Sequence, residues 1–310
     1  MKLGFVFPGQ GAQYVEMGKD LYEKYETVKN VYKKASDILG IDIAKLTFES
    51  SEEILNQTKN TQIAILVMSL AIAELLKENN IEAEISAGLS LGEYSALAYS
   101  SFISFEDAIK VVRKRGEFMQ NYVPDGTWAM AAIIGLDEKN VEKACSDVKT
   151  GFVVPANYNC IGQVAISGEK EAVLTAMENA KSLGAKRAIE LKTSGPFHTE
   201  KLKEASDKLR EELEKIDINA NSNKKVIKNI DAKEYTSSDD MVDILSRHVI
   251  SPVRFRKSIE EMISQGVDTF IEIGPGKVLS GFIKKTNKDV SVMNVENIET
   301  FENCLANLKC

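Results

Sequence analysis

The sequence predicts an α/β protein built on a parallel sheet, with an inserted β-α-β-β-α-β module, and three observations predict it. A short apolar strand over 3–7 runs straight into the loop Pro8-Gly9-Gln10-Gly11. A second short segment ends in Gly88-Leu89-Ser90-Leu91-Gly92, the pattern of a sharp turn that lifts a serine hydroxyl between a strand and a helix. Between them and the C-terminal part lies a run that reads strand 127–134, helix 138–148, strand 152–156, strand 163–167, helix 170–183 and strand 186–191.

A strand that ends in a glycine loop suggests a ligand edge. The loop after 3–7 lacks a Gly-Lys-Ser ending, and Tyr14 stands where a dinucleotide fingerprint has its third glycine, so nucleotide binding there is disfavoured. Helical patterns follow at 14–39 and 61–77. Residues 63–73 are apolar except for Ser69 and fall short of the roughly 20 residues that cross a bilayer, which predicts a buried helix. Ile85 and Ala87 mark a short buried strand, although Glu82 and Glu84 count against it, and 91–99, rich in Ala and Leu, opens a helix. Ser104 with Asp107 three residues on forms a capping box for the helix over 106–119. Pro124-Asp125-Gly126 and Thr193-Ser194-Gly195-Pro196 are the expected hinges, giving a discontinuous core of 1–125 and 195–310 around an inserted subdomain of 126–194. The core then continues as helix 199–216, strand 226–230, helix 258–265 and strand 269–273, which runs into Gly274-Pro275-Gly276.

With 310 residues, 44% hydrophobic and 27% charged, the chain has the composition of a soluble globular protein able to bury a large core. A net charge of -7 and the lack of a basic block argue against nucleic acid as a partner. The apolar run at 3–7 is too short for a signal-peptide core, which predicts a cytoplasmic protein with no membrane span. Cys145, Cys160, Cys304 and Cys310 show no Cys-x-x-Cys spacing, so neither a zinc site nor a disulfide framework is expected.

The glycines around Ser90 remove the Cβ atoms that would clash in a tight bend, and the following helix would present its positive end and the Leu91 amide to an oxyanion. Alone, the pattern fits an ordinary Gly-Ser loop equally well. A serine needs a base, and the chain has two histidines. His198, after Gly195-Pro196-Phe197 where the module returns to the core, is the choice; His248, in a loop just past a helix and ahead of Pro252, is free to cap or pack. Arg115 lies three residues beyond Val112 and four before Met119, on the apolar stripe of its helix. A buried guanidinium calls for an anion, either an internal Asp or Glu or a substrate carboxylate.

These residues resemble those of the malonyl-CoA:acyl carrier protein transacylases. The resemblance covers essentially the whole chain, through Pro8-Gly9-Gln10-Gly11, Thr61-Gln62, Gly88-Leu89-Ser90-Leu91-Gly92-Glu93-Tyr94, Arg115-Gly116, Asn157-Tyr158-Asn159, Pro196-Phe197-His198 and Ile273-Gly274-Pro275-Gly276-Lys277-Val278-Leu279. It implies an α/β-hydrolase-like core carrying a ferredoxin-like subdomain. It further implies that Ser90 becomes malonylated, that His198 acts as base and then acid, that Gln10 with the Leu91 amide forms the oxyanion hole, and that Arg115 clamps the malonyl carboxylate. A backbone carbonyl in the segment of His248 would orient His198; many members have Gln there. Leu89 stands where many have His, Phe197 would crowd an α-methyl branch, and Gln62 and Asn159 are further pocket candidates. The implied partners are malonyl-CoA and an acyl carrier protein, with no cofactor or metal and a monomeric enzyme. Docking of an acidic carrier would use a local basic patch, Lys181, Lys186 and Arg187 or Arg254, Arg256 and Lys257, each read first as a solvated face. The rival readings are an acyltransferase of the same fold serving polyketide synthesis, a serine hydrolase, and a noncatalytic carrier-binding protein.

Overall fold

A computed structural model describes residues 1–193, 195–219 and 222–308. Ser194 of the second expected hinge and Cys310 lie outside the described residues. The described strands are β1 (Leu3–Phe7), β2 (Ile85–Gly88), β3 (Trp128–Ile134), β4 (Val153–Cys160), β5 (Gln163–Glu169), β6 (Arg187–Leu191), β7 (Lys225–Ile227), β8 (Thr269–Ile273) and β9 (Ser291–Val295). They form a five-stranded sheet in the order β7-β2-β1-β8-β9, every neighbour pair parallel, and a four-stranded antiparallel sheet in the order β4-β5-β3-β6. The second sheet with its two helices, Glu138–Ser146 and Lys170–Ser182, is the ferredoxin-like arrangement expected from the run of elements.

The parallel sheet is covered on both faces, which is why β1, β2 and β8 are apolar almost throughout. Alternation sorts their side chains. Phe5, Phe7, Ile271 and Ile273 pack toward the long helix Thr58–Glu78, while Val6, Ile85, Ala87 and Phe270 pack with Ile259 and Ile283 of the helices Phe255–Ser264 and Val278–Thr286. At 21 residues, Thr58–Glu78 is longer than the apolar run foretold and is long and apolar enough by composition to cross a membrane; here 89% of its most apolar window is buried inside the protein as the central core helix.

In the antiparallel sheet the period of two separates two tasks. Ala129, Ala131 and Ile133 of β3, with Val164 and Ile166 of β5, meet the two helices, whereas Met130, Ala132 and Ala165 face the first unit. β4 extends beyond the expected 152–156 to Cys160, because Gly162 at φ 73 closes a hairpin onto β5 and because the strand touches the other unit. The Tyr158 N–H donates to the Val253 carbonyl at 2.8 Å, and the Val253 N–H donates to the Ala156 carbonyl at 2.8 Å.

Several boundaries differ from the sequence reading. The helix expected over 14–39 is two, Lys19–Lys24 and Glu26–Leu39, because Gly18 is left-handed and Tyr25 is extended, which resets the phase. The helix expected from 199 begins as a 3-10 turn, Glu200–Leu202, and runs as Lys203–Leu213. The strand expected over 226–230 is only Lys225–Ile227, since the chain leaves the sheet to bring Asn229 under the serine turn. His248 is the last residue of the helix Met241–His248, not a residue of the loop past a helix. The helices Val278–Thr286 and Ile298–Leu308 and the strand β9 were not foreseen at all. Ser104 does cap Phe105–Asn121, accepting the Asp107 N–H at 3.0 Å.

Candidate active site

The loops after β1 and β2 leave neighbouring carboxyl edges of the parallel sheet, the edge at which open α/β sheets hold ligands. Their close approach depends on glycine. A Cβ on Gly88 would stand 1.8 Å from the Gly92 carbonyl carbon, and one on Gly92 would stand 2.0 Å from the Phe7 oxygen. The turn between them puts Ser90 at φ 54, a left-handed conformation that costs a non-glycine residue and that the surrounding structure must hold. His198 has the same unusual sign, φ 59.

The two side chains meet: Ser90 Oγ lies 2.7 Å from His198 Nε2. His198 Nδ1 lies 3.1 Å from the His248 carbonyl and 3.2 Å from the Ser251 carbonyl. Carbonyl oxygens only accept, so Nδ1 carries the proton and Nε2 is left to accept from the serine hydroxyl. Burial, followed by the charge of Arg115, pushes His198 down to about 4, while the two carbonyls pull it partly back. The imidazole is therefore neutral at ordinary pH and able to take a proton.

Arg115 is 1% exposed and completes the cluster. Its Nη2 donates to Ser90 Oγ at 3.1 Å and its Nη1 to Gln62 Oε1 at 2.7 Å, and its guanidinium carbon lies 5.4 Å from the centre of the Tyr94 ring. Its Nε has no acceptor, and among the described residues no carboxylate forms a direct ion pair with it, although the charge of the buried Glu93 acts on it from farther off. A buried cation with neutral partners and a donor to spare is organised for an anion brought from outside. Its donation to Oγ also favours the serine alkoxide over the alcohol.

A cavity of about 480 Å³ opens above Ser90 between the two sheets, lined among others by Gln10, Gln62, Leu89, Asn159, Phe197 and His198. The Gln10 side chain donates to Thr58 Oγ1 at 3.3 Å and accepts from Gln62 Nε2 at 3.5 Å. Among the described residues no acceptor takes the Gln10 or the Leu91 main-chain N–H, whereas the Ser90 N–H is held by Asn229 Oδ1 at 2.8 Å. Asn159 keeps a buried Oδ1 without a partner. The cluster thus has a nucleophile bonded to a neutral base, a cation at the nucleophile, and two free amides nearby, the parts that acyl transfer requires.

Sequence reasoning missed what lies beneath. Asn229, Glu93 and Tyr235 form a buried group under the serine turn, with Tyr235 donating to Glu93 Oε1 at 2.6 Å. Glu93, pushed up to about 7 chiefly by burial, follows the glycine turn inside an otherwise apolar helix, and that isolation was a usable signal. Asn229 gave none. Of the basic residues weighed for docking, Lys181 pairs with Glu178 and Arg256 with both Glu138 and Glu260, while Lys186, Arg187 and Lys257 are exposed.

The family model described as an acyl transferase domain matches residues 4–301. The malonyl CoA-acyl carrier protein transacylase of Bacillus subtilis is 46% identical over 310 residues, covering 99% of this chain and 98% of its own length. The crystal structure of the malonyl CoA-acyl carrier protein transacylase of Clostridium perfringens is 47% identical, with a TM-score of 0.96, covering 100% of this chain and 98% of its own. A malonyl-transacylase solved in complex with its type II PKS acyl-carrier protein is 40% identical, with a TM-score of 0.95, covering 99% of this chain and all of its own. The sheet order, the Ser90–His198–Arg115 cluster and these matches agree, and the chain belongs to the acyl transferase family, among the malonyl CoA-acyl carrier protein transacylases.

Proposed function

We propose that this protein moves a malonyl group from malonyl-CoA to the thiol of an acyl carrier protein through a malonyl ester on Ser90. The observation that carries the reading is the single oxygen, Ser90 Oγ, held by both His198 Nε2 at 2.7 Å and Arg115 Nη2 at 3.1 Å. His198 Nε2 takes the hydroxyl proton as Oγ attacks the thioester carbonyl, and the resulting oxyanion is received by the free amides of Leu91 and Gln10. The C–S bond then breaks, and His198 returns the proton to the departing thiolate. In the second half the carrier thiol gives its proton to His198 and attacks the ester, and the serine recovers its proton as it leaves. The His248 and Ser251 carbonyls keep His198 in the right tautomer and steady the imidazolium formed in each half. Every step uses side chains and main chain of this protein.

Arg115 selects the acyl group. A carboxylate entering the site has the unpartnered Nε to pair with, on the same edge of the guanidinium as the Nη2 that donates to Ser90 Oγ. A serine hydrolase needs no such cation, and fixing the carboxylate holds the ester where the carrier thiol, not water, is aligned to attack. Phe197 in the cavity wall disfavours an α-methyl branch, by about 1–3 kcal/mol for one methyl group. We take residues 126–194 as an inserted subdomain that forms the other wall. Because one similar malonyl-transacylase was solved with a polyketide carrier, the carrier of this protein is open to either fatty acid or polyketide synthesis.

Intact-protein mass spectrometry after exposure to malonyl-CoA tests the reading. The parent should gain one malonyl group and Ser90→Ala none; a parent that gains nothing ends the covalent mechanism.

A further inference from the structure

We infer that Asn229 is a positioning residue for Ser90, clasping the serine turn from both sides without touching the cavity. Its Oδ1 accepts the Ser90 N–H at 2.8 Å and its Nδ2 donates to the Gly88 carbonyl at 2.7 Å, so one planar amide fixes peptide groups on either side of Leu89. Both contacts fall on the backbone that holds Ser90 at φ 54, where a bulky residue is not stable unaided. Asn229 is fully buried and is not among the residues that line the cavity. This inference rests on the reading of Ser90 as the nucleophile.

Asn229 is itself fixed. Its N–H donates to Glu93 Oε2 at 3.2 Å, and its carbonyl accepts the Arg254 N–H at 2.9 Å. Glu93 Oε1 takes the Tyr235 hydroxyl at 2.6 Å, and Glu93 Oε2 lies 3.3 Å from His248 Nδ1. That last approach does not meet hydrogen-bond geometry, since both ring nitrogens of His248 lack a partner. The His248 carbonyl holds the catalytic imidazole. A buried hydrogen-bonded path therefore runs from the backbone of the nucleophile through Asn229 to Glu93, which packs beside the residue that orients the base. Taking up the Ser90 N–H has a second effect: it withdraws that donor from any oxyanion and leaves the task to Leu91 and Gln10.

Two substitutions distinguish positioning from mere packing. Asn229→Ala removes both clasping bonds. Asn229→Asp keeps the shape, and as a neutral acid it keeps the pattern too, with C=O accepting from Ser90 and O–H donating to Gly88; once ionised it only accepts and repels the Gly88 carbonyl. The titratable groups around it are Glu93, Tyr235, His248 and His198, with Lys228 on the flanking residue turned to Asp239 and Asp231, and Arg254 adjoining through its main chain.

The experiment measures the pre-steady-state rate of malonyl addition to Ser90 for the full chain from pH 6 to 8, with the thermal midpoint recorded for each variant. Asn229→Ala should lower that rate roughly 30- to 100-fold, the scale of a nucleophile misplaced by a fraction of an ångström, with KM for malonyl-CoA within about threefold of the parent. Because burial with no cation facing it raises the introduced carboxyl well above the usual Asp range, Asn229→Asp should be equally slow at pH 8 and recover at least about tenfold, relative to the parent at the same pH, at pH 6. If Asn229→Ala does not fold, the pH dependence of the Asn229→Asp ratio decides. A ratio that is flat with pH, or an Asn229→Ala protein that acylates at the parent rate, overturns the inference while leaving the malonyl ester intact. A parent that forms no ester overturns both.

Discussion

The antiparallel module and the parallel-sheet core fill their interiors differently. Behind β3 and β5 the module is small and apolar, with Ala131, Ile133, Val164, Ile166 and Ala176 at its centre. The core buries Arg115, Glu93, His198, His248 and Glu272, each at most 4% exposed. It also contains the left-handed Ser90 and His198. Desolvating such groups is costly, and the cost is visible in their titration: burial drives His198 and His248 down and raises Glu93 and Glu272, the latter two to about 7. Glu272 is the purely structural case, accepting from Leu279 N–H, Ser280 N–H and Ser280 Oγ at the start of a helix. The comparison teaches that the module is a stabilising wall, while the core gives up stability to keep polar groups prepared for reaction.

The comparison breaks if the two regions respond alike to substitution. The largest contrast is expected at Arg115→Met, which should lower malonyl transfer at least about 100-fold while leaving stability unchanged or raised by about 1 kcal/mol, because a buried cation with no hydrogen-bonded ionic partner is replaced by an apolar chain. Paired kinetics and thermal melts check this, and a large loss of stability would show that Arg115 is a structural residue. Ile133→Ala should do the reverse, costing about 2–4 kcal/mol by denaturant titration with kcat per folded molecule unchanged.

A subtler effect sharpens the electrostatic side. His198 is held down first by burial and then by Arg115. The Ser90 acylation rate should therefore be flat from pH 6 to 8 and fall only toward pH 4, as the base becomes protonated. Removing the neighbouring charge with Arg115→Ala should move that acid limb upward, read with acetyl-CoA, which has no carboxylate to replace the charge. In stability the sign is the same: both depressed histidines are neutral in the fold, so their contribution is full above the unfolded value near 6.5 and is lost as pH falls, toward about 4 for His198, while His248 is also held well below its ordinary value by burial. The smallest effect is expected at His248→Gln, within about threefold of the parent in kcat, because the orienting group is a main-chain carbonyl and the imidazole nitrogens have no partner to lose.

Much of this was legible in the sequence for physical reasons. A strand into a glycine loop, a serine between glycines and a chain with two histidines leave few ways to assemble a nucleophile and base, and a cation on an apolar stripe identifies itself. The β-α-β-β-α-β run of the second sheet followed from its succession of strand and helix patterns, whereas the strand order within either sheet was not read from the sequence. What could not be read is whatever depends on distance along the chain. Asn229 lies 139 positions from Ser90 and looks like any loop asparagine, and the early end of β7 that places it breaks a pattern which by propensity continues to Ile230. The helix break at Gly18 and Tyr25 is hidden because apolar residues recur on both sides of it.

One joint between the units adjoins the segment that aims the base. The paired main-chain bonds between β4 and Val253 sit two residues from Ser251, whose carbonyl helps hold the His198 ring. The seam that holds the two sheets together and the carbonyl that aims the imidazole therefore lie on one short stretch of main chain.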